Sequence, residues 1–246
     1  MDSETARRME VVESVLTDLV LATKDCCGDA LVSIVLFGSA AEGRLRETSD
    51  VNLLILLKSF NARFVDGLRE PLRVAHAAAG VEAMFLLADE LRAAADLFAV
   101  KFNDIRVRHR MLYGSDPVQA LQIDPGELRR GLREVLLNLA IRLRERYTMV
   151  SLREEQLPRV LAEAAGLLRA AAEGLLQLDG RASASPRAAL EAVAKGTGDR
   201  SFIDAVALLP QARQQQELPV GSGGSALLAL SRLAGHLRAA LEPAQP

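Results

Sequence analysis

The stretch Leu36-Phe37-Gly38-Ser39-Ala40-Ala41-Glu42-Gly43-Arg44-Leu45-Arg46-Glu47-Thr48-Ser49-Asp50-Val51-Asn52-Leu53-Leu54 joins two apolar runs through a polar loop. The first run, Leu31 to Phe37, is short, rich in β-branched residues and stopped by Gly38; the second, Val51 to Leu57, leaves the loop. Both read as buried strands, because strands covered on two faces show near-continuous apolar residues instead of alternation. Gly38 has no side chain, so the backbone can approach a ligand closely there. Ser39, with the N–H groups of a following helical turn, offers donors to a phosphate. Positions 50 and 52 lie two apart on a strand, so Asp50 and Asn52 leave one face of the sheet.

Working outward, Met9, Val12, Leu16 and Leu19 recur at helical spacing before the first strand, and Gly28 supplies a stop. After the second strand the pattern predicts a helix between Asn61 and Ala79, broken or kinked at Pro71, and then a third strand from Val81 to Leu87. Asp89 caps a short helix, Glu90 to Ala95, and Phe98, Val100 and Phe102 alternate as a fourth strand. Arg106, Arg108 and Arg110 fall on one face of an extended segment, read as a solvated strand end. His76, in an Ala-rich helix, reads as structural. Tyr113-Gly114-Ser115-Asp116-Pro117 is turn chemistry and divides a domain of residues 1–116 from one of residues 117–246.

Beyond that turn, strand signals vanish. Leu128, Leu132, Leu136, Leu139 and Leu143 mark a helix from Gly126 to Val150. A second helix runs to Leu178, opened by a Ser151/Glu154 capping box or beginning at Pro158. Shorter helices over 187–194 and 201–213 precede Gly221-Ser222-Gly223-Gly224, read as a flexible connector, and Ser225 caps a last helix. The expected fold class is α+β: a mixed sheet flanked by helices, followed by an α-helical bundle.

Composition limits the function classes. Thirty basic and thirty-two acidic residues give a net charge of −2, which leaves no general positive field for nucleic acid or an anionic membrane. Seven Phe, two Tyr and no Trp provide little for base stacking. Four of the thirty basic residues are Lys, a usage typical of a high-GC bacterial genome. Cys26 and Cys27 are too few for a disulfide framework or a metal quartet and read as small hydrophobes. No run is long and apolar enough to cross a bilayer, and the acidic start lacks a secretory signal, so a reduced, cytoplasmic setting is expected.

A strand running into Gly-Ser, followed ten residues on by Ser-Asp and a second strand, resembles the signature of the DNA polymerase β-like nucleotidyltransferase superfamily. The closest resemblance is to its small bacterial members, the minimal and kanamycin nucleotidyltransferase-like enzymes, over residues 30–116. The resemblance implies a nucleotidyltransferase fold in which Gly38, Ser39 and Ser49 contact nucleotide phosphates. It also implies that Asp50 is the catalytic acid, and that acids at positions 50 and 52, with a third on a later strand, hold Mg²⁺. The implied reaction is in-line transfer of a nucleoside monophosphate from a nucleoside triphosphate to the hydroxyl of a small molecule or a protein. Kanamycin-type relatives build their site across two subunits, which implies a homodimer; neither membrane nor nucleic acid is an expected partner.

The sequence departs from that pattern at two positions. Asn52 is a neutral amide that offers one oxygen and cannot bridge two ions as a carboxylate does. Lys101 falls where the alternating segment after Asp96 would carry the third acid, leaving Glu82 and Asp104 as substitute metal ligands. Two readings follow. In the first, the chain is a pseudoenzyme that keeps the fold as a nucleotide-binding or regulatory module. In the second, it is an active, divergent Mg-dependent nucleotidyltransferase using Asp50, Asn52 and either Glu82 or Asp104.

Overall fold

Leu31–Phe37 (β1) and Val51–Leu57 (β2) form an antiparallel pair, buried almost throughout. The structure, a computed structural model, describes residues 3–43, 50–215 and 217–242. Val81–Leu87 (β3) runs parallel to β2 and His109–Gly114 (β4) antiparallel to β1, giving the order β3-β2-β1-β4. A parallel pair needs a crossover, and Ala62–Ala79 (α2) supplies it. Asn61 caps α2 by accepting the Phe64 N–H at 3.2 Å, and the helix runs through Pro71 without ending. Gly80 closes it in the left-handed conformation, φ +66°. The Gly80 carbonyl then accepts the Val51 N–H at 3.0 Å, which starts β3 level with β2.

The two faces of the sheet have separate cores. Leu36, Val51, Leu53, Ile55, Leu57 and Val81 meet Val12, Leu16 and Leu19 of Ser3–Cys27 (α1) and Leu68, Ala75 and Ala79 of α2. On the other face Val35, Phe37 and Leu54 meet Ala94 and Ala95 of Leu91–Leu97 (α3) and Phe102 and Ile105 of Ala99–Val107 (α4). Each fully buried Leu or Phe contributes about 2 kcal/mol, so this double layer accounts for the apolar character of β1 and β2. A register shift between Leu31 and Ser33 brings Leu31 to the α1 face along with Ile34.

The segment expected as a fourth strand is helical instead. Phe98 and Phe102 fit period two, but they also fit the four-residue spacing of a helix, and the next apolar positions settle the choice. Ala95, Ala99, Phe102 and Ile105 are buried at helical spacing, whereas Phe98 is 61% exposed. Lys101 therefore stands exposed on α4 and not on a strand. Arg106 lies in α4, Arg108 caps it and Arg110 lies in β4, so the three arginines do not form one strip.

The chain divides into two compact units, residues 1–123 and 124–246. The division falls beyond the turn at residues 113–117 because Val118, with Leu121 and Ile123, packs on the core behind α3 and α4. In the second unit, Pro125–Val150 (α5) is capped by Asp124, which accepts the Glu127 N–H at 2.9 Å. Leu157–Leu178 (α6) begins at Pro158's turn, after a break over 151–156 that replaces the expected capping box. Pro186–Gly196 (α7), Arg200–Gln215 (α8) and Ser222–Ala240 (α9) complete the unit, with α6 packing on each of them and α5 on α6 and α9. Ser222, Gly223 and Gly224 belong to α9 and form no connector: a Cβ on Gly223 would lie 2.7 Å from Leu157 Cδ1, so the glycine permits close helix packing. Among the described residues, no helix is long and apolar enough to cross a membrane.

Candidate functional site

β1 delivers the chain to Gly38 at one end of the sheet, and β2 leaves from Asp50 at the same end. Gly38 takes φ +79°, with nothing among the described residues within 4 Å of where a Cβ would be, so its requirement there is conformational. Its N–H donates to the Arg108 carbonyl at 2.9 Å and is therefore committed to β-type pairing and not available to a ligand. Residues 38–43 form successive turns, closed by the Gly43 N–H to the Ala40 carbonyl at 3.1 Å, where a helical turn was expected. Ser39 sits half-buried in these turns. Ser49 lies outside the described residues.

Register places several of the singled-out residues together. Asn52 pairs with Phe37 of β1 on one side and with Glu82 of β3 on the other, and His109 of β4 pairs with Phe37. Directly paired residues share a face, so Glu82, Asn52, Phe37 and His109 stand in one row across the sheet. Asp50, exposed and two residues before Asn52, extends the same face at the end of β2. The Asn52 side-chain amide donates to the Asp50 carbonyl at 3.5 Å. Glu82, at the open edge of the sheet, reaches His76 of α2: Oε1 lies 3.3 Å from Nδ1, which is also 3.2 Å from the Val81 carbonyl.

At the far end of the row, His109 is 8% exposed and held on both ring nitrogens. Nδ1 lies 3.1 Å from the Arg106 carbonyl and Nε2 2.8 Å from Asp116 Oδ2. Asp116 Oδ1 accepts the Val118 and Gln119 N–H groups, each at 2.9 Å. Burial pushes the Asp116 carboxyl up, but the hydrogen bonds from His109, Gln119 and Val118 outweigh it and hold the group below the usual carboxylate value.

Asp104 does not join the row. Its Oδ1 accepts Arg108 Nε at 2.9 Å and a second guanidinium N–H, and Arg108 Nη1 lies 3.4 Å from Glu42 Oε2. The structure thus brings together Asp50, Asn52 and Glu82 and leaves Lys101 and Asp104 on α4. Glu82's place was legible in outline: Asn52 and Glu82 are each the second residue of a seven-residue apolar strand. The Arg108–Glu42 contact spans 66 residues and leaves no periodic signal in the sequence.

Residues 22–106 match the family described as Nucleotidyltransferase domain. A protein of Methanocaldococcus jannaschii named for protein adenylyltransferase activity is 39% identical over 57 residues, 23% of this chain and 39% of that protein. The aligned segment therefore spans well under half of that relative. Among solved structures, a spectinomycin adenyltransferase from Enterococcus faecialis, determined with ATP and spectinomycin, superposes with a TM-score of 0.64 over 92% of this chain and 98% of that one. Identity there is 12%, so the likeness is one of fold.

Proposed function

We propose, for a chain whose residues 22–106 match the nucleotidyltransferase domain family, that the N-terminal unit binds a nucleoside triphosphate at the Gly38-Ser39 turn and acts as a binding or regulatory module. The observation carrying this reading is Asn52 standing between Asp50 and Glu82 on one sheet face. In-line transfer by two cations uses carboxylates that bridge them, and an amide supplies one neutral oxygen and no bridge. Glu82 is further engaged by His76 at 3.3 Å. Among the described residues, no three His, Cys, Asp or Glu side chains converge as metal ligands would. The donor set does not fit a two-ion centre.

Support for nucleotide binding is separate from the metal ligands. The left-handed Gly38 turn leaves Ser39 at the end of β1, next to the row that carries Asp50. The spectinomycin enzyme of the same fold was determined with ATP. Gly38, Ser39 and Ser49 are the residues assigned to the nucleotide, and Asp50 with Glu82 forms the remaining acidic pair beside it. This role belongs to the N-terminal unit of residues 1–123, which precedes a helical unit of residues 124–246, in a cytoplasmic setting.

The test uses the full chain. Calorimetric titration with ATP should show binding, and incubation with ATP labelled at the α-phosphate, with Mg²⁺ or Mn²⁺, should leave the label on free nucleotide. Asn52→Asp adds the third carboxylate and should strengthen Mg²⁺ binding by about tenfold or more. Label transferred to the protein or to a small hydroxyl acceptor, and lost in Asp50→Ala, would overturn the module reading in favour of an active transferase.

A further inference from the structure

We infer that the open edge of β3 pairs with β3 of a second copy of this chain, antiparallel and about a two-fold axis at Met84, making one continuous sheet across a homodimer. The interface uses the backbone of β3 and the outer side of α2, and it stands apart from the nucleotide reading of the Gly38 turn.

β3 is an outer strand, bonded on one side to β2 in an unbroken register from Val81 to Leu87. In a parallel pair, alternate residues turn both backbone groups toward the neighbouring strand and the residues between turn both away. The Gly80 carbonyl accepts the Val51 N–H at 3.0 Å, and the Ala88 N–H donates to the Leu57 carbonyl at 2.8 Å. Even positions therefore face β2, and Val81, Ala83, Phe85 and Leu87 face outward. The two ends of this outward row are closed. His76 Nδ1 lies 3.2 Å from the Val81 carbonyl. Glu90 satisfies Leu87 twice: its Oε2 accepts the Leu87 N–H at 3.0 Å, and its own N–H donates to the Leu87 carbonyl at 3.0 Å. Among the described residues, the outward N–H and C=O groups of Ala83 and Phe85 meet no other strand.

An exposed strand edge invites another chain, and proteins that keep such an edge single break it with Lys, Pro or a bulge. Ala83-Met84-Phe85-Leu86 has none of these, and its side chains are apolar and half-buried. The open window selects the occupant. Two antiparallel copies of β3 set Ala83 against the partner's Phe85 and Phe85 against the partner's Ala83, and each pair exchanges two hydrogen bonds. All four open groups of each chain are then used, whereas a longer extended peptide would run onto the closed ends. Charge agrees with this symmetry. Met84 lies about 10 Å along β3 from Val81, equal to about seven residues of helix, so the axis is level with Leu72 of α2. Glu70 and Arg73, both exposed and both beside the β3 edge, stand on either side of that level. The two-fold axis sets Glu70 of each copy toward the partner's Arg73.

The experiment is sedimentation velocity of the full chain over about 1–100 μM, with circular dichroism to verify folding; the parent should form a dimer whose population rises with concentration. Met84→Lys sets two like charges opposite each other across the axis and should weaken the dimer about tenfold, as should Met84→Asp. An equimolar mixture of the two should dimerise about tenfold more tightly than either alone. Met84→Cys should form a disulfide-linked dimer on mild oxidation where the parent does not, because Cα atoms of such a pair lie about 4.5 Å apart. A parent that stays monomeric throughout overturns the inference and leaves the edge to a different chain. A Met84→Lys protein that dimerises like the parent, or a mixture no tighter than its components, overturns it too. Should the Met84 variants fail to fold, the exposed α2 pair decides. Arg73→Glu should weaken the dimer severalfold and Glu70→Arg added to it should restore the parent's affinity; a dimer indifferent to both overturns the two-fold pairing.

Discussion

Gly38 and Gly114 sit at opposite ends of the β1–β4 pair in nearly the same backbone conformation, φ +79° and +78°, yet replacing each with Ala should have very different costs. The left-handed penalty is common to both and amounts to about 1–2 kcal/mol. At Gly38 that is the whole cost, since among the described residues no atom lies within 4 Å of the added Cβ. At Gly114 the Cβ would be 2.1 Å from the Val32 carbonyl oxygen and 3.0 Å from Ser33 Cα. Both are backbone atoms, so no rotamer change relieves the overlap, and β4 must draw back from β1 by about 1 Å. The ladder bonds around the Ser33–Gly114 and Ile34–Tyr113 pairs then stretch or break, at about 1 kcal/mol each. The expected losses are about 1–2 kcal/mol for Gly38→Ala and about 3–4 kcal/mol for Gly114→Ala. Urea unfolding of the full chain, combined with hydrogen exchange at β1 and β4 amides, measures both. Equal losses for the two variants, or β4 amides in Gly114→Ala as protected as in the parent, would refute the reasoning.

Two further outcomes follow from buried polar groups. Ser33 is fully buried and its hydroxyl has no hydrogen-bond partner among the described residues, so Ser33→Ala should stabilise the protein by about 1 kcal/mol, read as a higher urea midpoint; a destabilised variant would show that the hydroxyl is satisfied. Asp116 has a lowered pKa in the folded state, so its ionised form stabilises the fold above its unfolded value near 4, and that stabilisation is lost as pH falls through the lower folded value. Asp116→Asn keeps an oxygen for the Val118 and Gln119 N–H groups but loses the charge facing His109. It should be less stable than the parent at neutral pH, with the difference shrinking below about pH 4 in pH-dependent urea unfolding; a constant difference would exclude the linkage.

Legibility differed sharply along the chain. β1, β2, β3, α1, α2 and α5 could be read because each has a long apolar pattern with a stop or cap at its end, such as Gly28, Asn61, Gly80 or Asp124. The segment 98–102 was misread because Phe98 and Phe102 fit both periods, and only burial of Ala95, Ala99 and Ile105 selects the helix. Gly221-Ser222-Gly223-Gly224 was misread for a related reason: Gly223, placed for close packing against Leu157, lies in a run with the composition of a linker.

The candidate site divides along the same line. Residues near one another in sequence announced their part of it: Gly38 and Ser39 after a strand, then Asp50 and Asn52 sharing a face through the two-residue period of β2. The missing carboxylate at position 52 is likewise a property of the sequence alone. Glu82 was a candidate from sequence, but its pairing with Asn52, like the places of His109 and Arg108, needed the folded chain, because strand register after the α2 crossover, the pairing of β4 with β1 and a contact spanning 66 residues depend on how elements dock. Periodicity encodes which face a residue takes within its own element. Which residue of another element stands beside it is set by packing: β3 in register puts Glu82 beside Asn52, while Lys101 and Asp104 lie on α4.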